Sequence, residues 1–497
     1  MIVNYEYLNG KLIVSYINTK GNLEFKNYSW QNPTEWCVCS DKDPNKSETM
    51  HTWDNKPVKI GPTRFPTRYA IYEFLMKLSE SERLDIFSYQ EPKLFFCDIE
   101  VEITEGFPEA HIANNRVTAM CFIIKNKILL LGIKQIDDSW VKKMEQDINE
   151  YFKDFNTKYT IEWYYCDTEH EMLSYFFNDL LKKIPVLTGW NFIGYDWVYL
   201  VTRARKLGIN PNVASPTGKL IKPWKKHQNM QKPSFEELPK HRLILDYMDI
   251  FDKWDTSIKI KESKSLDFVA GKILGIKKLE YPGTLKELYE KDYYKYLLYN
   301  CVDTALVQLI HNKQRTFDIM LAISNLAKIP IEDSPSAIRV TEGIFFTQYY
   351  QKGIVMVKQK HAAVLEAVEG DVETEAELTG GYVKYPAVGL RRWITVFDFA
   401  SLYPTTMRQF NIAPESFRGM KINDHEALFN GVKYQLQPND IVLLNGAVFK
   451  NEDSETKQIL TSIFADRKKH KNTGLDFMKQ EQLLKNYYTE RFNKTYK

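Results

Sequence analysis

The run Phe95-Phe96-Cys97-Asp98-Ile99-Glu100 constrains this chain more than any other stretch, because two acids stand two residues apart in a segment that otherwise reads as an apolar strand. Side chains alternate across a strand, so both carboxylates point to one face. Like charges on a largely buried strand are unfavourable unless a cation neutralises them, and the pattern therefore predicts a hard divalent metal site. The plainer alternative is an edge strand with two solvated acids.

The surroundings read as an α/β layer fold. From Lys93 to about residue 312, LFFCDIEVEI and FIIKNKILLLGI give strands and several helix-period segments follow. Leu297, Leu298, Cys301, Val302, Ala305, Leu306, Leu309 and Ile310 recur at helical spacing and predict a long helix that closes this region. Residues 1 to 92 mix short alternating runs such as LIVSYI with turn signals at Asn9-Gly10 and Gly61-Pro62, an α+β pattern. Pro211 to Arg242, with Lys219, Lys222, Lys225, Lys226, Lys232 and Lys240, reads as an exposed basic loop. RRWITVFDFASLYP announces a further strand-rich unit with a strand over Trp393 to Phe397, and a charged helical tail starts near Ser454.

A length of 497 residues allows about three domains. Lys+Arg 67 against Asp+Glu 64 excludes a histone-like chain and names no partner. Six scattered cysteines without paired CxxC knuckles argue against a disulfide framework or zinc and fit a reducing, cytoplasmic setting. The start lacks a signal pattern, and Lys125 and Lys127 break the longest apolar stretch, so neither export nor a membrane partner is expected.

Two more motifs extend the acidic pair. In Thr188-Gly189-Trp190-Asn191-Phe192-Ile193-Gly194-Tyr195-Asp196 the acid stands at a strand-to-helix turn, where it could equally serve as a helix N-cap. In Tyr299-Asn300-Cys301-Val302-Asp303 a phenol and a carboxylate lie at i and i+4 on one helix face, which alone would also describe a surface pair. Together Asp98, Glu100, Asp196 and Asp303 supply about the charge that holds two Mg²⁺ ions roughly 4 Å apart, an arrangement that hydrolyses phosphodiesters. Tyr299 could orient the attacking water by hydrogen bonding.

DIE, NFIGYD and YNCVD, in this order, resemble the three motifs of the DEDDy 3′ to 5′ exonucleases, whose fold is ribonuclease H-like. Asp398-Phe399-Ala400-Ser401-Leu402-Tyr403-Pro404-Thr405 is similar to motif A of family B DNA polymerases, with Thr405 in place of the usual serine. The chain as a whole is similar to the replicative family B polymerases of tailed bacteriophages. The resemblance implies that Asn191 binds the DNA strand, that Asp398 and Phe399 ligate two further metal ions, and that the backbone of Ser401 and Leu402 meets the triphosphate. Tyr403 would lie under the incoming sugar and exclude a 2′-OH, Gly380 and Gly381 would approach template DNA, and Arg467 and Lys471 would hold the dNTP triphosphate. A solvated basic helix face remains the alternative for that last pair.

By that resemblance residues 1–92 and 313–366 form an N-terminal domain, 93–312 the exonuclease, 367–453 part of the palm with motif A, and 454–497 the first part of the fingers. The fold class implied is multidomain, α/β and α+β. Mg²⁺ is the implied cofactor, with Mn²⁺ as a substitute, and DNA primer-template, single-stranded 3′ ends and dNTPs are the implied partners. One departure matters. No KxxxNSxYG helix and no YGDTDS hairpin occurs, so the second palm carboxylate and the thumb are expected on a C-terminal polypeptide, through which a sliding clamp would also bind. Tyr165-Cys166-Asp167-Thr168-Glu169 only superficially resembles that hairpin, since it precedes motif A. The expectation is one subunit of a split polymerase, acting in the cytoplasm of an infected bacterial host. A stand-alone exonuclease and a non-catalytic nucleic-acid-binding remnant are the alternatives.

Overall fold

The computed structural model describes residues 1–104, 106–222, 236–258, 262–357, 384–386, 388–390, 392–399, 401–420, 437–444 and 446–492. In chain order its first strands are β1 (Ile2–Leu8), β2 (Lys11–Ile17), β3 (Leu23–Ser29), β4 (Thr34–Val38) and β5 (Val58–Pro62). Then come β6 (Leu94–Val101), β7 (Val117–Ile124), β8 (Lys127–Gly132), β9 (Thr160–Tyr165) and β10 (Val186–Gly189). The remainder are β11 (Leu220–Ile221), β12 (Leu238–Pro239), β13 (Leu243–Asp246), β14 (Phe417–Met420), β15 (Asp440–Val442) and β16 (Ala447–Lys450).

Two compact units share these elements. One comprises Met1–Pro33, Arg64–Pro66 and Ile71–Ile344, the other Thr34–Thr63, Thr67–Ala70 and Phe345–Lys497. Residues 1–33 and 34–63 thus belong to different units, whereas the sequence reading joins all of 1–92 with 313–366.

A six-stranded mixed sheet in the order β13-β10-β6-β7-β8-β9 organises the first unit. β10 runs parallel to both β6 and β13, while β6, β7 and β8 form an antiparallel meander. Apolar side chains on both faces of β6 and β7 need cover on both sides, and helices supply it. On one face Phe96, Cys121, Ile123 and Leu130 pack with Leu297, Val302 and Ala305 of the long helix Tyr293–Gln314 and with helices around Met144, Ile250 and Val269. On the other, Cys97, Ile99, Met120 and Phe122 pack with Leu173, Phe176, Trp197 and Leu200. The predicted closing helix is therefore present, with Asp292 accepting from the Lys295 N–H at its start and Arg315 left-handed at its end.

The basic loop is more ordered at its ends than its composition implies. Residues 223–235, with Lys225, Lys226 and Lys232, lie outside the described residues. Its flanks, however, pair as β11 and β12, and Arg242 is buried, donating to the carbonyls of Leu181, Ile184 and Ala214. A buried guanidinium with three carbonyl partners is a structural tie, not a free charge.

In the second unit, β4 pairs with β5, and β14, β16 and β15 form a small antiparallel sheet. Asn411 joins its ends, donating to the carbonyls of Lys450 and Glu452 and accepting from the Ser454 N–H. The helix Glu455–Phe492 leads away from that point. Among the described residues no helix is long and apolar enough to cross a membrane.

Candidate active site

Phe96 belongs to the core under the long helix and Cys97 and Ile99 to the opposite core, so strand alternation turns Asp98 and Glu100 toward that helix. β6 is an interior strand, which removes the edge-strand alternative. Glu100 is only 5% exposed, and Asp98 is partly open. From the helix, Asn300 Nδ2 donates to Asp98 Oδ2 at 2.7 Å. One turn along, Asp303 pairs through Oδ2 with Lys278 Nζ at 2.5 Å, and the same ammonium donates to the Tyr299 hydroxyl at 3.2 Å. Asp303 Oδ1 is buried without a partner.

Asp196 arrives from the other side. It lies inside the wide helical turn Ile193–Trp197, and its Oδ1 accepts from the Ile99 N–H at 3.1 Å. It ties the turn to β6 and does not cap a helix. The close run of β10 against β6 makes this reach short: a Cβ on Gly189 would stand 2.2 Å from the Cys97 carbonyl oxygen, so any side chain there would push the strands apart. Asn191, at φ 57, is exposed on the same turn with its amide folded over Gly194.

The four acids share an unfavourable field. Burial, followed by the charge of Asp303, pushes Asp98 up to about 7. Burial and the neighbouring Asp98 carboxylate raise Glu100 and Asp196 well above the carboxylate range. Asp303 is raised by burial, opposed by Lys278. Lys278 and the Tyr299 phenol are held protonated, the lysine chiefly by Asp303 against its own burial, the phenol by burial. Mutual repulsion among buried carboxylates and one orphaned oxygen on Asp303 fit a divalent cation. Among the described residues no three potential ligands already converge on one point; Lys278 instead neutralises Asp303.

This electrostatics has a measurable sign. Asp98 titrates higher folded than unfolded, so its ionised form costs stability at and above about pH 7, and the cost fades as pH falls toward the unfolded value near 4. In chelator at pH 8, Asp98→Asn is expected to raise the melting temperature by about 2–5 °C, shrinking as the pH is lowered. Added divalent metal should then stabilise the unmodified chain and not the variant, a ranking that paired thermal melts with and without metal would check.

Sequence reasoning missed three contributors. Nothing local distinguishes Lys278 from the other basic residues, and Asn300 was a motif letter without a role, though a polar residue amid an apolar stripe is itself a signal. Phe107 is 73% exposed, its ring 5.1 Å from that of Tyr195, next to Asp196. The YCDTE stretch is structural: Thr168 caps the helix Glu169–Tyr175, and Glu169 is buried against Arg203 at 2.7 Å.

In the second unit the expected strand over Trp393 to Phe397 is absent: residues 394–399 are irregular and Trp393, Val396, Phe397 and Phe399 are 98%, 84%, 90% and 76% exposed. A strand apolar on both faces needs ladder partners and cover on both sides, and the described residues supply neither. Asp398 is exposed within this run. Ser401, at φ 54, starts the helix Leu402–Gln409, with Leu402 and Tyr403 exposed on it. That helix docks on Glu455–Phe492, where Arg408 Nε donates to Thr461 and its guanidinium lies 4.8 Å from the Phe464 ring. Arg467 and Lys471 are exposed further along the same helix. Among the described residues the side chains of Asp398, Tyr403, Arg467 and Lys471 make no hydrogen bond or ion pair, and Gly380 and Gly381 lie outside those residues.

Comparison with known proteins agrees with both halves. A family model described as DNA polymerase family B, exonuclease domain, matches residues 70–269, and one described as DNA polymerase family B matches residues 333–489. The chain is 26% identical over 437 residues to the DNA-directed DNA polymerase of Escherichia phage RB69, which covers 83% of this chain and 46% of that protein. It is 31% identical over 256 residues to the DNA-directed DNA polymerase of Enterobacteria phage T4, covering 51% of this chain and 27% of that one. DNA polymerase II of Escherichia coli is 25% identical over 297 residues, covering 58% and 34%. The chain spans less than half the length of these relatives. With an exonuclease-type sequence in its first unit and a polymerase-type sequence in its second, it belongs to family B of the DNA polymerases.

Proposed function

We propose that this chain is the N-terminal portion of a replicative DNA polymerase. Residues 93–312 form a ribonuclease H-like DEDDy exonuclease that removes nucleotides from DNA 3′ ends, and 367–453 and 454–497 supply part of the palm and fingers. The observation that carries the first part is the assembly of Asp98, Glu100, Asp196 and Asp303 from strand, turn and helix around a face shared with Tyr299. These four would hold two Mg²⁺ ions, or Mn²⁺, which when bound supply Lewis-acid stabilisation of the phosphodiester oxygens. The Ile99 N–H fixes Asp196, and Tyr299, kept protonated, can donate to the reacting phosphate or orient water.

Single-stranded DNA has a place to rest. The exposed Phe107 ring, backed by Tyr195, offers a stacking surface beside Asp196, with Asn191 exposed on the same turn. Phe107→Ala should raise KM for single-stranded 3′ ends by about tenfold with kcat largely kept, since stacking of one base contributes about 1–3 kcal/mol. Steady-state digestion of a short labelled oligonucleotide measures both constants.

Nucleotide addition requires more than Asp398. A two-metal centre needs further carboxylates, and the exposed apolar run around Asp398 supports a partner surface. The second palm carboxylate, the rest of the fingers and the thumb would come from a C-terminal segment or polypeptide, with clamp contact also on it. Asp398, Phe399, Ser401, Leu402, Tyr403, Arg467, Lys471, Gly380 and Gly381 would then serve primer-template and dNTP, in the cytoplasm of an infected host. A 5′-labelled single strand incubated with the chain and Mg²⁺ should give a ladder shortened from the 3′ end and no product in chelator. Internal cuts, or shortening that persists in chelator, would refute the exonuclease assignment.

A further inference from the structure

Asn300 carries an inference beyond that reading, although it rests on it. The side chain is fully buried in the middle of the helix Tyr293–Gln314, beside Cys301 and Val302 in the core. Half of its amide is used: Nδ2 donates to Asp98 Oδ2 at 2.7 Å, while Oδ1 is buried with no partner. An orphaned buried carbonyl costs stability, and leucine would fill the same volume without that cost. Packing therefore does not account for an amide here.

Its neighbours show what it does. Asp196 is held by the Ile99 N–H, Asp303 by Lys278, and Asp98 has Asn300 as its hydrogen-bond donor. Asp98 is also the more open member of the strand pair, so it depends on that donor for its orientation. We infer that Asn300 is a positioning residue that holds Asp98 by one oxygen and leaves the other directed at the divalent cation. It acts through Asp98 and need not touch DNA. Partners of this kind set ligand orientation, and losing one weakens metal binding by about 10–100-fold.

The test uses the full chain and Mn²⁺ binding followed by the loss of the free-ion electron paramagnetic resonance signal. Asn300→Leu and Asn300→Ser, each checked by its melting curve, should bind Mn²⁺ about 10–100-fold more weakly than the unmodified chain. At saturating Mn²⁺ the KM for single-stranded DNA should be unchanged and kcat should recover to within about threefold, a split that a general loosening of the fold would not produce. The serine variant carries the test if leucine fails to fold, because its hydroxyl is too short to span the contact. Mn²⁺ affinity within twofold of the unmodified chain in either folded variant would overturn the inference. Asp98→Asn is the control. If it binds Mn²⁺ as the unmodified chain does, the metal-centre reading itself fails and this inference with it; if it binds weakly while Asn300→Leu binds normally, only the role of Asn300 is refuted.

Discussion

Replacing Asp98 and Glu100 together by alanine should reduce 3′-end digestion by about 10³-fold or more while leaving the chain folded. The size follows from the site. Both acids stand on one face of an interior strand, and their neighbours Asp196 and Asp303 cannot hold two cations alone. Losing several kcal/mol of transition-state stabilisation corresponds to three decades of rate at about 1.4 kcal/mol per decade. Stability should not fall, because the buried carboxylates repel one another in the metal-free chain. Digestion rates on a 5′-labelled strand, with melting curves for both proteins, decide it. Digestion unchanged by the double substitution would mean that the nuclease chemistry lies elsewhere, and no digestion by the unmodified chain would mean that it only binds nucleic acid.

The second large effect concerns Asp398. In a complex with a C-terminal polypeptide, Asp398→Ala should lower primer extension by about 10³-fold and leave 3′ digestion within about twofold. Asp98 and Glu100 lie in one compact unit and Asp398 in the other, so damage to one proposed centre should not spread to the other. Extension that survives Asp398→Ala would remove motif A from the polymerase chemistry.

How much of this was legible in the sequence depends on the range of the interactions involved. The facing of Asp98 and Glu100 follows from a period of two, and the pairing of Tyr299 with Asp303 from helical spacing, so both were visible locally. Asp196 was placed correctly after a strand, but its bond to the Ile99 N–H depends on β10 lying against β6, a contact some ninety residues away in sequence. Lys278 was invisible for the same reason: its partners Tyr299 and Asp303 are brought to it by folding. The strand expected at Trp393 to Phe397 fails differently. Its run of apolar, strand-forming residues is real, but strand pairing is non-local, and the described residues around it offer no ladder. Composition there signalled a surface that needs cover, and the exposed Trp393, Phe397 and Phe399 are that surface.

The most direct measurement follows one labelled primer-template with Mg²⁺ and dNTPs, first with this chain alone and then with a folded C-terminal polypeptide carrying the DTDS hairpin. Primer shortening by the chain alone and extension only on mixing are the expected results. Shortening in both cases, with no extension by any folded partner, would contradict the split-polymerase reading and leave a free-standing exonuclease.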